Sequence, residues 1–231
     1  MTVADNVRDV AGRISRAAAR AGRRVEDIRL IAITKKVDID MIREAIEAGV
    51  RVFGENYLQE ARGKIEAIGH GVEWHMTGHL QRNKARDAVN LFDMVQTVDS
   101  LELARELDKR ARSAGRLISG LIEVNIGEED SKSGIRSGEL LPFLNSIKEL
   151  NSLSIRGLMT IPPYFDDPEE VRPYFKMLRE LRDKANNYGF PITELSMGMS
   201  HDFEVAVEEG ATMVRIGTAI FGERRKIDVE K

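Results

Sequence analysis

Several groups of residues in this 231-residue chain are of types and spacings that do chemistry. Lys35 stands one residue past Thr34 and, by the two-residue period of a strand, in line with Ile31 and Ile33. A strand continued that far turns the amine to the face the isoleucines occupy. Over an apolar mouth such an amine loses hydration, its pKa falls, and it becomes a nucleophile able to form a Schiff base with an aldehyde. Position alone favours the plainer alternative, a solvated lysine beside Lys36, since surface lysines are the rule.

The stretch Leu195-Ser196-Met197-Gly198-Met199-Ser200 sets two hydroxyls and a glycine between a strand-like run and a helix that starts near Asp202. Arg215-Ile216-Gly217-Thr218 closes the last strand-like run. Backbone N–H groups at a helix N-terminus, a serine hydroxyl and a glycine that permits close approach suit a phosphate dianion. The same residues equally serve a turn and an N-cap, and Arg215 equally serves as a structural ion-pair partner. Two other leads weaken. His75 and His79 lie about 13 Å apart on a strand, too far to share a zinc ion. The loop Gly127–Ser133 carries a Lys-Ser pair but lacks the glycine that a Walker loop needs before its lysine, so it reads as an acidic loop. Met76, Met94, Met177 and Met213 read as core fillers.

These groups need a frame. Short β-rich runs alternate with amphipathic segments: Ile28–Thr34, Val50–Gly54, Val72–Gly78, Met94–Val98, Gly120–Ile126, Ile155–Ile161, Glu194–Met197 and Met213–Gly217. Between them, Asp38 opens a helix closed by Gly49, Asp99 with Glu102 reads as a capping box, and Asp167-Pro168-Glu169-Glu170 starts a helix that carries Val171, Tyr174, Phe175, Leu178 and Leu181. Val7, Val10, Ile14 and Ala18 mark an N-terminal helix, expected to pack on the rest within residues 1–25. Eight strands with helical crossovers in about 200 residues predict an α/β chain: one (β/α)8 TIM barrel over residues 1–231, its site at the C-terminal strand ends. A doubly wound open sheet is the alternative, but no G-x-G-x-x-G follows the first strand. In the barrel, an amine at strand one and an anion cup at strands seven and eight face one opening.

Composition narrows the rest. With 42% hydrophobic and 32% charged residues, the chain is neither disordered nor low-complexity. A net charge of −3 and basic runs no longer than Arg224-Arg225-Lys226 give no cationic stripe for nucleic acid. The absence of cysteine excludes disulfides, thiolate nucleophiles and Cys-ligated metal. The longest aliphatic run, Leu30 to Ile33, is far short of a membrane span, and the N-terminus lacks an apolar signal core, so a cytoplasmic protein is expected.

In combination, Ala32-Ile33-Thr34-Lys35, Phe53-Gly54-Glu55-Asn56-Tyr57, Gly78-His79-Leu80-Gln81-Arg82-Asn83-Lys84, Lys132-Ser133-Gly134-Ile135, Gly157-Leu158-Met159-Thr160-Ile161, Leu195 to Ser200 and Val214 to Thr218 resemble the pyridoxal phosphate homeostasis proteins of the YggS/PROSC type. The motifs run in order from about Leu30 to Gly222. The resemblance implies the type III pyridoxal phosphate barrel, similar to the N-terminal domain of alanine racemase. It implies pyridoxal 5'-phosphate as cofactor, in a Schiff base with Lys35. It also implies Arg215 by the pyridine nitrogen, Ser200, Gly217 and Thr218 at the phosphate, and Asn56, Ser196 and Met197 along the ring. Thr77, at a position expected to be apolar, and the second lysine, Lys36, depart mildly from the family pattern.

The role implied is intracellular pyridoxal phosphate homeostasis: a carrier or buffer of the reactive aldehyde that delivers it to apoenzymes. An arginine at the ring nitrogen weakens the electron sink, and only nine residues follow Gly222, so no second domain is expected over an open mouth. A monomer without catalytic residues is expected. The rival readings are a slow amino-acid racemase with Lys35 and either His79 or Tyr57 as bases, and a cofactor-free enzyme acting on a phosphate ester.

Overall fold

The computed structural model describes residues 1–69, 71–129 and 131–223. Its strands are β1 Arg29–Ile33, β2 Val52–Glu55, β3 Glu73–Met76, β4 Met94–Val98, β5 Ile118–Asn125, β6 Ile135–Arg136, β7 Leu153–Met159, β8 Glu194–Ser196 and β9 Met213–Ile216. The helices are α1 Val3–Arg20, α2 Ile39–Glu47, α3 Leu58–Ile68, α4 Ala85–Leu91, α5 Leu101–Ser113, α6 Leu140–Ile147, α7 Arg172–Asn187, α8 Phe203–Glu208 and α9 Thr218–Phe221. Every strand pairing is parallel, in the order β4-β3-β2-β1-β9-β8-β7-β5, and β4 pairs with β5 to close the ring. The chain is thus an eight-stranded closed barrel; an open doubly wound sheet is excluded.

Alternation along the strands sorts side chains into two cores. Ile31, Ile33, Val52, Met94, Leu121, Met159 and Met213 form a cluster of their own inside the barrel. Their strand neighbours, among them Ala32, Phe53, Trp74, Val95, Leu158 and Val214, face the helices and build the larger outer core. Each fully buried aliphatic or aromatic side chain contributes about 1.5–3 kcal/mol by leaving water. The inner face is not wholly apolar. Register brings Arg215 beside Ile31, His75 beside Gly54, and Ser196 beside Met159, so a set of buried polar groups replaces hydrocarbon in the interior.

Helix α1 lies outside the barrel. Its stripe of Val3, Val7, Val10, Ile14, Ala17 and Ala18 is buried against α2, α8 and α9, and Thr2 and Asp5 cap its start reciprocally. It ends at Arg20, and one 3₁₀ turn, Val25–Asp27, leads into β1.

Three local expectations are corrected. The capping residue of α5 is Ser100, whose hydroxyl accepts the Leu103 N–H. Asp99 is drawn instead to the Ser100 hydroxyl and to His79, so the Asp99–Glu102 box does not form. Asp167 caps as expected, accepting the Glu169 N–H at 2.9 Å, but it opens a 3₁₀ turn, Pro168–Val171. The α-helix starts only at Arg172 because Pro173 has no N–H for the Glu169 carbonyl. Finally, β6 extends β5 at its mouth end, pairing Ile135 with Val124, where only loop was expected. Asp130 of the acidic loop and the run Arg224-Arg225-Lys226 lie outside the described residues.

Candidate functional site

The turn after β1 carries Lys35, which is half-buried, and Lys36, which is exposed at a left-handed φ of 57°. That turn is built from beneath. The Thr34 hydroxyl donates to Glu55 Oε1 at 2.6 Å, and the Lys36 N–H donates to Glu60. Lys64 on α3, 7% exposed, binds Glu55 Oε1 at 2.8 Å and Glu60 Oε1 at 2.6 Å, and donates to the Thr34 carbonyl. Burial pushes the Glu55 carboxyl above its usual range despite the opposing bonds from Lys64 and Thr34. One buried cation therefore joins β1, β2 and α3 under the candidate nucleophile. The sequence signal was present as the i,i+4 pair Glu60–Lys64, which reads as a surface pair until the fold buries it.

Across the β1–β9 pairing, Arg215 is 4% exposed. Its Nη1 donates to Ser196 Oγ and its Nη2 to the Thr160 carbonyl, both at 2.8 Å. Burial lowers its pKa to about 10, with Asp202 and Glu123 opposing, so the guanidinium stays charged at neutral pH. Beside it, the Ser200 hydroxyl oxygen accepts the N–H groups of Gly217 and Ala219, each at 3.2 Å. Gly217 is buried and Thr218 exposed. Gly198 holds this loop at a φ of 88°, where an added Cβ would lie 2.5 Å from that of Ala206. The Asp202 carboxylate accepts the Met199 N–H, and burial raises its pKa.

The structure thus brings Lys35, Arg215, Ser200, Gly217 and Thr218 to the same end of adjoining strands and their loops. Asn56 stands at the β2 end of that rim, half-buried, and its Oδ1 accepts the Thr77 hydroxyl at 3.1 Å, which gives the unexpected threonine a role. Ser196 and Met197 are placed differently. The Ser196 hydroxyl is fully buried between Arg215 and Gln96, and the Met197 side chain packs in the outer core.

A cavity of about 240 Å³ opens next to this set, with Asn56, Thr77, His79, Thr97, Glu123 and Lys132 in its wall. Glu123 was not anticipated. It is 8% exposed, one carboxylate oxygen has no hydrogen-bond partner among the described residues, and its pKa is raised to about 7 by burial and then by Asp99, against Arg215 and His79. His79 is exposed and pairs with Asp99 at 3.1 Å.

The donors present fit a phosphorylated pyridine aldehyde. The Ser200 hydroxyl and two backbone N–H groups, held only by long bonds to that hydroxyl, suit a phosphate. A buried guanidinium supplies a donor for an unprotonated ring nitrogen. A lysine stands on the neighbouring strand end.

Comparison with known proteins agrees with this class. The family described as alanine racemase, N-terminal domain, matches residues 9–225. A pyridoxal phosphate homeostasis protein from Aquifex aeolicus is 44% identical over 227 residues, covering 97% of this chain and 100% of its own. The Escherichia coli protein of that name is 42% identical, covering 96% and 97%. The solved structure of PipY from Synechococcus elongatus, with pyridoxal phosphate bound, is 36% identical with a TM-score of 0.80, over 91% of this chain and 100% of that one. A Clostridium difficile alanine racemase, 16% identical with a TM-score of 0.72, covers 97% of this chain but 57% of its own, and shares the fold. The chain belongs to the pyridoxal phosphate homeostasis protein family.

Proposed function

We propose that the barrel mouth holds pyridoxal 5'-phosphate with Lys35 as its covalent anchor, and that the chain, as one cofactor-holding unit, buffers and carries that aldehyde. The observation that carries this reading is the buried, charged Arg215, fixed by Ser196 and Thr160 beside the Ser200–Gly217–Ala219 donors and one strand away from Lys35. The cofactor, when bound, supplies an electrophilic aldehyde carbon and an electron-withdrawing ring. Lys35 presents its amine to that carbon. Arg215 donates to the ring nitrogen and, being a cation, opposes its protonation. Ser200 and the neighbouring N–H groups hold the phosphate, with Thr218 at its open side and Asn56 bordering the ring site. A guanidinium in the place where a carboxylate would keep the ring nitrogen charged suits holding over carbanion chemistry. The names of the relatives and the bound ligand of PipY support the same role. Delivery to apoenzymes that need the cofactor, from the cytoplasm, completes the proposal.

Mass spectrometry of the borohydride-reduced protein tests it. A pyridoxyl adduct is expected on Lys35, with visible absorbance lost in Lys35→Ala and kept in Lys36→Ala; the reverse pattern overturns the assignment. Sustained deuterium exchange at the α-carbon of amino acids, lost in Lys35→Ala, would replace the carrier by a racemase.

A further inference from the structure

Arg215 is held from below by a file of polar side chains that crosses the barrel interior. Ser196 Oγ, which accepts from Arg215 Nη1, donates to Gln96 Oε1 at 2.7 Å. Gln96 Nε2 lies 2.9 Å from His75 Nδ1, and His75 Nε2 lies 3.4 Å from Oε2 of Glu73. Ser196, Gln96 and His75 are at most 1% exposed, whereas the Glu73 side chain is 55% exposed at the opposite opening. There Arg29 faces both Glu73, at 3.7 Å, and Glu194, at 3.3 Å.

The two ends fix the direction of every bond. A guanidinium only donates, so the Ser196 oxygen accepts and its proton goes to the Gln96 carbonyl. Gln96 is left with its NH₂ toward His75, whose Nδ1 must then be a bare lone pair. The imidazole proton is then left to Nε2, which lies on the side of Glu73, a group that only accepts. The contact from His75 and the charge of Arg29 hold the Glu73 carboxyl below its usual range against the opposing effect of burial. A proton on Nδ1 would face the Gln96 NH₂ donor to donor. Turning Gln96 over relieves that clash, and the second lone pair of Ser196 can take its NH₂, but the serine proton then loses the Gln96 carbonyl as its acceptor. In a dry interior such a mismatch costs more than in water.

We infer that His75 and Gln96 are positioning residues for the cofactor-facing guanidinium, and that the Nε2–H tautomer of His75 is the state in which Arg215 is held. The effect on the cofactor rests on the reading above; the direction of the file does not. Two measurements on the full chain separate them. Nitrogen-15 NMR of the cofactor-free protein at pH 7 is expected to show His75 protonated at Nε2 alone, and a proton at Nδ1 overturns the file. In the loaded protein, His75→Phe is expected to weaken binding of pyridoxal 5'-phosphate about tenfold, the scale of one bond that orients a charged donor. It is also expected to displace the pH profile of the bound absorbance. His75→Gln, which retains an acceptor for Gln96 and a donor for Glu73, should restore both. If His75→Phe does not fold, Gln96→Met carries the same expectations. Wild-type affinity and pH profile in the folded variants overturn the inference. A wild type without a borohydride-trapped adduct defeats the cofactor reading and leaves the tautomer result standing.

Discussion

Glu123 departs far from the ordinary behaviour of a glutamate. Its carboxyl is inside the barrel, its pKa is raised to about 7, and burial is the leading cause. The folded state therefore binds a proton more tightly than the unfolded chain, so the stabilisation is complete below the unfolded value near 4.5 and is lost as pH rises to about 7. Glu55 and Asp202 are raised for the same reason and add slope of the same sign. Glu123→Gln isolates one contribution, because the amide keeps the shape and never ionises. Denaturant melts of wild type and variant should nearly coincide at pH 4.5. At pH 8 the variant should be the more stable by up to about 3 kcal/mol, the upper bound from the shift. A pH-independent difference would show that Glu123 is ionised throughout, its unpartnered oxygen satisfied by water.

At the scale of elements, the β1 turn and α3 act together through Lys64. Replacing it by Met removes the cation between Glu55 and Glu60 and frees the Thr34 carbonyl. Breaking a buried ion pair on one side costs about 3–5 kcal/mol, because the surviving carboxylates are left unpaired. Lys64→Met should lower the urea midpoint accordingly and slow borohydride trapping at Lys35; adding Glu55→Gln should recover part of the stability. Unchanged trapping would show that the turn holds without α3. This cluster also marks what the sequence made legible. The eight barrel strands were readable because apolar residues alternate between glycine-rich turns, and Lys35, Ser200 and Arg215 drew attention by standing at strand ends. Lys64, Gln96, His75 and Glu123 did not, because their meaning depends on partners distant in the chain: Ser196 and Gln96 are 100 residues apart. An inward polar residue on a strand looks like an outward one until closure supplies the opposite wall. The misplaced cap at Asp99 has the same origin, since His79 is brought to it only by the fold.

At the scale of the molecule, closure depends on how near neighbouring strands approach on the narrow inner face. Gly157 on β7 pairs with Leu121 of β5 and Glu194 of β8, next to a register shift between Gly120 and Leu121. A Cβ at position 157 would stand 1.9 Å from the Glu194 carbonyl oxygen and 2.7 Å from its Cα, and both are backbone atoms that no rotamer change can move. Gly157→Ala must therefore shift β8 against β7, at a cost of about 3 kcal/mol, the upper range for overpacking. The shift is not local in effect. Ser196 is two residues along β8 in the same register, and it carries the Arg215 contact, so displacement of β8 should loosen the guanidinium as well. Gly63→Ala is the matching control: Gly63 is exposed in α3 and, among the described residues, nothing lies within 4 Å of the added carbon. That change should raise stability by up to about 1 kcal/mol through helix propensity and leave cofactor affinity alone. If Gly157→Ala melts like wild type, the strands have room the close approach denies, and the coupling between barrel closure and Arg215 fails with it.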